Sequence, residues 1–242
     1  MKNIHTITST EWLTYFQKNT RNLLRIPWES PYKLTPEEKE RVIASVQQFE
    51  LGENAEGKTF KRKALPFAKQ HDPIYMDALD LFIKEEQRHS ATLRRFLQKT
   101  EQPTLENHWV DSVFRRLRKL LDIEVEVLVL LTAEIIAMVY YGRLKAATDS
   151  PVLQTICEQI LLDETQHINF QSTALYKIRR NIWWIRRQVS PLVHATLLAG
   201  TACLVWWQHN SVLSSGNFSF RRFLYEVYLV FNKSHMVSSG RA

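Results

Sequence analysis

The chain contains the pattern Glu-x-x-His twice, in the segments 86–89 and 164–167. When the first copy is aligned with the second without a gap, Glu56 also falls on Glu134. On a helix, residues three apart lie one turn apart on the same face. Each copy therefore places a carboxylate beside an imidazole. The repeat predicts two helices of similar design, each accompanied by a helix that carries a single glutamate.

Prolines and capping residues mark where the helices begin. Thr35, Pro36 and Glu38 form a capping box with proline at the first helical position. Strand-like alternation is absent from the sequence, and an all-α fold is predicted. The expected helices run from Thr35 to about Gln70 with a bend or an end at Pro66, from Asp72-Pro73 to about Thr100, from Leu105 to about Thr148 with a break near Arg118, and from Ser150-Pro151 to about Gln188, before Pro191.

The acidic and imidazole side chains of the repeat lie within apolar seams. In the second helix, for example, Phe82, Glu86, His89 and Leu93 step by three or four residues. An unpaired buried charge costs on the order of several kcal/mol, so a group of such residues requires cations. A lone Glu from each of two helices and Glu-x-x-His from each of two others form a dinuclear ligand set. The predicted ligands are Glu56, Glu86, His89, Glu134, Glu164 and His167.

These features resemble the ferritin-like superfamily of di-iron carboxylate proteins, with rubrerythrins and bacterioferritins as the nearest comparison. The resemblance covers about residues 36 to 188 and implies a four-helix bundle that holds two Fe ions or an Mn/Fe pair. The first-helix ligand stays open between two residues. The ungapped repeat favours Glu56, whereas the rubrerythrin pattern selects Glu53. If Glu56 is the ligand, Glu53 is expected to be an alternate ligand or to contact the ligands.

The resemblance implies an oxidoreductase that activates O2 or peroxide and oxidises a small molecule, with electrons from a separate donor. Iron oxidation and storage, or metal detoxification, is the alternative, and a purely structural metal site is a third. Glu85 and Asp163 lie beside the ligands and are expected to hold the imidazole N–H groups. Aromatic residues are expected to line the pocket, namely Tyr140, Tyr141 and Phe170.

The remaining titratable residues have simpler interpretations. Glu124 is expected to be solvated near the end of the bundle, and His209 to lie on the surface. His194 falls in an apolar stretch and is expected to be a core histidine. The two cysteines, Cys157 and Cys203, belong to no Cys-x-x-Cys pair, which excludes zinc ribbons and rubredoxin-type iron sites.

The sequence suggests three regions: an N-terminal helical segment (1–34), a di-metal bundle (35–188) and a C-terminal helical extension (189–242). The N-terminus lacks the apolar stretch of a signal peptide, so a cytoplasmic location is expected. A homodimer is compatible with the sequence.

The C-terminal region is basic and aromatic. The net charge is +7, yet residues 179–242 contain a single acid, Glu226. Two interpretations stay open: a helix that covers one side of the bundle, or a peripheral membrane contact through residues 180–242, with a lipophilic substrate. The apolar run 192–207 is shorter than the ~20 residues that span a bilayer. No nucleic-acid-binding motif accompanies the charge, and a nucleic-acid partner is not expected.

Overall fold

The computed structural model describes residues 3–54, 57–107 and 122–241. Within these ranges every regular element is helical and there is no strand, which confirms the all-α prediction. Short 3-10 turns lie at Ile4–Thr6 and Ser215–Asn217. The α-helices in chain order are α1 (Ser9–Asn19), α2 (Pro36–Glu53), α3 (Lys58–His71), α4 (Tyr75–Lys99), α5 (Ile123–Ala146), α6 (Pro151–Arg179), α7 (Trp184–Gln208), α8 (Asn210–Leu213) and α9 (Phe220–Ser238).

Two of the predicted helix starts are present. The Thr35 side chain accepts a hydrogen bond from the Glu38 amide, and Glu38 reaches back to the Thr35 amide. Ser150 caps α6 by accepting from the amide of Leu153. The expected cap at Asp72 is wrong, because α4 begins at Tyr75 without a side-chain cap. Asp72 instead accepts hydrogen bonds from other helices, from Ser9 and Lys177.

The first predicted helix is two helices. α2 ends at Glu53, and α3 begins after Gly57, whose φ of 66° is left-handed. A Cβ on Gly57 would lie 2.5 Å from Cδ1 of Ile83, so glycine also allows a close approach to α4. Pro66 lies inside α3. Glu56 lies outside the described residues, as does the break predicted near Arg118.

The last predicted helix also ends earlier than expected. α6 stops at Arg179, and α7 then runs through Pro191, which was expected to follow a helix end. Contacts across the connection stabilise this arrangement, because the buried Arg179 guanidinium donates to Ser190 at 2.7 Å. A tertiary hydrogen bond of this kind leaves no signal in local sequence.

The helices pack in pairs around one core. α5 lies along α6, α2 lies along α4, and α4 in turn contacts α6. The buried residues of α5 include Val127, Leu131 and Ile135, and α7 and α9 cover its outer sides. The N-terminal α1 packs on α4, where the buried ring of Phe16 contacts Phe82, and the buried ring of Trp12 contacts Phe170 of α6.

Candidate metal centre

The two Glu-x-x-His pairs meet in the core between α4 and α6. Glu86 and His89 lie on one face of α4, and Glu164 and His167 lie on the facing side of α6. One ligand-type atom from each of the four residues lies within 4.8 Å of all the others. The structure thus brings together the two pairs that the sequence repeat singled out.

These four side chains leave polar atoms without partners in the core. His89, Glu164 and His167 are buried, and the Glu86 side chain is 15% exposed. Among the described residues, no hydrogen bond is made by Oε1 of Glu86, by either carboxylate oxygen of Glu164, or by Nδ1 of either histidine. Buried polar groups are normally paired. Five orphaned acceptor-type atoms around one point are the arrangement that a metal ion satisfies.

The distances show that these atoms point toward a shared centre. Nδ1 of His167 lies 2.8 Å from Oε1 of Glu86 and 3.6 Å from Oε2 of Glu164. Nδ1 of His89 lies 3.7 Å from Oε1 of Glu164. The closest of these pairs lacks hydrogen-bond geometry despite its short distance. The two atoms form an ion pair when the His167 ring is protonated.

The opposite nitrogen of each imidazole is held by a carboxylate on the other helix. Nε2 of His89 lies 3.0 Å from Oδ2 of Asp163, and Nε2 of His167 lies 3.1 Å from Oε2 of Glu85. With the proton on Nε2, each ring keeps a lone pair on Nδ1 for a metal. The role predicted for Glu85 and Asp163 is present, and it connects the two helices crosswise.

The groups that orient these two carboxylates were not expected from the sequence. The Asn19 amide, at the end of α1, donates to Glu85 at 2.7 Å and to Asp163 at 2.8 Å. Arg88 and Gln159 also donate to Asp163, at 2.8 Å and 3.0 Å. Gln159 could have been found, since it lies four residues before Asp163 on the same helical face. Asn19 could not, because nothing in the repeat indicates where α1 docks.

Glu134 and Glu53 border the four-residue cluster. Glu134 is buried on α5, with Oε2 4.0 Å from Nδ1 of His167. Glu53 is the last residue of α2, lies beside Glu86, and accepts a hydrogen bond from the Tyr141 hydroxyl at 2.8 Å. Glu53 is thus the first-helix carboxylate that the described structure brings to the cluster.

The acids of the site shift one another's pKa values. Burial raises the pKa of Glu53 and of Glu134 well above the usual range, and the charges of Glu86 and Glu164 add to this. Burial opposes ionisation of Glu86, but the His167 cation outweighs it and lowers the pKa of Glu86 to about 2. The pKa of His167 is raised well above its usual value, since Glu86 and other carboxylates overcome desolvation. These opposite shifts follow from the close packing of several carboxyl groups and an imidazole in the core.

The surroundings of the cluster are mostly apolar. Phe82 packs edge-on against the His167 ring at 4.7 Å, with Phe16 and Phe170 behind it. Tyr141 contacts Glu53 as described above, whereas the Tyr140 hydroxyl bonds Ser45. A cavity of about 70 Å³ lies beside His89, and its walls include Leu23, Leu24, Ile26, Arg88, Thr92, Ile156, Gln159 and Ile160.

Two residues expected at the surface are instead buried. Glu124 is buried and pairs with Arg179 at 3.5 Å and with Arg186 at 2.7 Å, because the end of α6 and the first turn of α7 bring these arginines to the start of α5. His209 is buried, with Nδ1 2.7 Å from the Ser45 hydroxyl. Both lie apart from the four-residue cluster.

Carboxylate oxygens and imidazole nitrogens without thiolates suit Fe, Mn and similar divalent ions. The cluster can therefore hold a metal ion. Comparison with protein-family models, characterised proteins and solved structures finds no match to this chain. The functional conclusion therefore depends on the geometry of the site.

Proposed function

We propose that this chain is a ferritin-like di-metal protein in which α2, α4, α5 and α6 form the four-helix bundle. The observation that carries the proposal is the set of five buried oxygen and nitrogen atoms on the two Glu-x-x-His pairs that make no hydrogen bond with a described residue. Buried polar atoms without hydrogen bonds lower the stability of a core, so they are rare unless a ligand binds them. Bound metal ions would supply the missing bonding partner of each of these atoms.

The number of donors supports two ions, either two Fe or an Mn/Fe pair. Glu86 and Glu164 lie between the two imidazoles and, together with His89 and His167, would hold the ions. Glu134, on the His167 side, and Glu53, beside Glu86, would complete one ion each. Glu56 remains the alternative to Glu53 from the sequence repeat.

The proposed reaction is activation of O2 or peroxide coupled to oxidation of a small molecule. Bound iron or a manganese–iron pair would supply the redox chemistry. The chain's own residues fix the imidazole tautomers through Glu85 and Asp163 and exclude water through the aromatic rings. The cavity beside His89 is small and mostly apolar, which favours a small, weakly polar molecule as the substrate. An external electron donor would close the cycle.

The test begins with anaerobic addition of Fe(II) to metal-free protein, followed by desalting and metal analysis. We expect about two Fe per chain and, on addition of O2 or peroxide, oxidation faster than for the same Fe(II) in buffer. The His89→Ala variant should lose this acceleration. Glu158→Gln is the matched control, because Glu158 is an exposed carboxylate on α6 that pairs only with Lys145 among the described residues.

Three results would contradict the proposal. The first is an absence of bound iron after desalting. The second is oxidation no faster than in buffer. The third is iron taken up far beyond two per chain, which would favour the alternative of iron storage.

A further inference from the structure

α7 presents a long uncharged face to solvent. Exposed residues recur at steps of three or four along it, which places them on one side of the helix. Between Gln188 and Gln208 the helix contains no Asp, Glu, Lys or Arg. At 1.5 Å per residue the face extends about 30 Å. The residues of this α7 outer face are Ile185, Val189, Leu192, Val193, Thr196, Ala199, Gly200, Cys203 and Trp207.

This exposure is unusual for so apolar a helix. Among the helices that the structure describes, α7 is the one long and apolar enough to cross a membrane, yet less than a third of its apolar stretch is buried. Leu192 is 70% exposed, and Trp207 is 71% exposed. A contiguous apolar surface of this length marks an interaction site.

The opposite side of α7 is fixed to the protein. Arg186 pairs with Glu124, and Ser190 accepts from Arg179, so the first turns are tied to α5 and α6. Further along, His194 packs on Phe231 of α9. Insertion of α7 across a bilayer would break these contacts. The helix can instead lie parallel to a surface while its outer face is covered.

Both ends of the α7 outer face carry the side chains that lipid interfaces attract. Trp183 and Trp184 are exposed at one end, and Trp207 is exposed at the other. Arg187 lies beside the first end, and Arg221 follows Phe220, whose ring contacts Trp206 near the second end. Tryptophan and arginine together favour the headgroup region of a bilayer, and arginine favours anionic lipids.

We propose that the α7 outer face docks in the plane of a membrane surface that contains anionic phospholipid. A second copy of the chain fits less well. Both ends of the face are cationic, and the one acid of the region, Glu226, is already paired with Arg222. Parallel or antiparallel pairing of two such faces would bring like charges together. An anionic bilayer neutralises both ends and accepts the apolar residues between them.

The experiment is vesicle flotation with the full chain. The vesicles are phosphatidylcholine alone, or phosphatidylcholine with phosphatidylglycerol as about one third of the lipid. We expect the wild-type protein to float with the anionic vesicles, and less with the neutral ones or at high salt. Leu192→Glu should reduce the floated fraction by about tenfold or more, because it places a charge in the apolar contact.

The matched control is Leu162→Glu. Leu162 is also an exposed leucine, 57% exposed on α6, but it lies off the α7 outer face. This variant should float like the wild type. Arg187→Glu should weaken binding to anionic vesicles, whereas Lys39→Glu, on the exposed side of α2, should not.

Failure of the wild-type chain to float with either vesicle would overturn the proposal, as would equal flotation of the Leu192 and Leu162 variants. Analytical ultracentrifugation without lipid gives an independent reading. A stable dimer that Leu192→Glu converts to monomer would assign the face to a second copy instead. None of these outcomes depends on the metal centre, and the metal content of each variant can be measured separately.

Discussion

His167 of α6 and Glu85 of α4 lie across the core from each other, with Nε2 of the imidazole 3.1 Å from Oε2 of the carboxylate. His89 has the same relationship in the opposite direction, with Asp163. Each helix of the duplicated pattern thus supplies a metal-type ligand and also the group that orients its partner's ligand. Because each imidazole is held by a carboxylate of the other helix, a shift of α4 or α6 would disturb both Glu-x-x-His pairs.

Removal of ligands is expected to remove metal. His167→Ala deletes a nitrogen donor, and Glu134→Ala deletes the neighbouring carboxylate, whose Oε2 lies 4.0 Å away. Each variant should lose at least one ion per chain in elemental analysis after loading and desalting. Glu158→Gln should keep the wild-type content. Unchanged content in both ligand variants would contradict the assignment.

Asn19 is expected to affect the metal without touching it. Asn19→Ala removes the amide that donates to both Glu85 and Asp163, so both imidazoles lose part of their orientation. Loss of such an outer contact typically weakens metal binding by about 10–100-fold. Competition with a coloured chelator measures the affinity. Asn22→Ala, an exposed asparagine just after α1, should bind like the wild type, and equal affinities in all three proteins would refute a positioning role for Asn19.

The buried Glu124 is expected to matter more for folding than an exposed acid. Glu124→Ala would leave the Arg179 guanidinium buried without its carboxylate, a loss of about 3–5 kcal/mol of unfolding free energy. Glu158→Ala breaks the exposed pair with Lys145 and should cost about 1 kcal/mol or less. Urea unfolding of the two variants measures both values. Similar losses would contradict the burial of the Glu124 pair.

His194 is expected to make stability depend on pH. Burial, with the nearby cations Arg179 and His235, lowers its pKa from 6.5 to about 3. The unfolded chain therefore takes up a proton that the folded chain refuses, so this contribution is present above pH 6.5 and is lost as the pH falls below it. Urea unfolding near pH 7 and near pH 5 measures the change. His194→Gln should lose less stability over this interval than the wild type; an equal loss would assign the dependence to other groups.

The centre of the site was predictable because helical periodicity encodes it. The spacing of Glu86 and His89 places both on one face, and Glu85 adjoins them in sequence. The same reasoning applies to Asp163 and Glu164. Local spacing therefore identified the cluster and the two carboxylates, Glu85 and Asp163, that hold its imidazoles.

What could not be predicted depends on distant parts of the chain. α2 ends at Glu53, so the end of a helix rather than the interior of a long one lies beside the cluster. Gly57, just before α3, approaches Ile83 of α4 more closely than a residue with a Cβ could. An acid near a helix start suggests solvation, but Arg179 at the end of α6 and Arg186 in the first turn of α7 pair with the buried Glu124. These contacts exist only after the helices have packed.

The most direct test of the metal centre is an anomalous-scattering map of crystals of the protein loaded with Fe(II) or Mn(II). We expect two peaks between α4 and α6, each within bonding distance of an imidazole nitrogen and of carboxylate oxygens, with His89 on one ion and His167 on the other. A map with no peak among Glu86, His89, Glu164 and His167, from protein offered either metal, would contradict it.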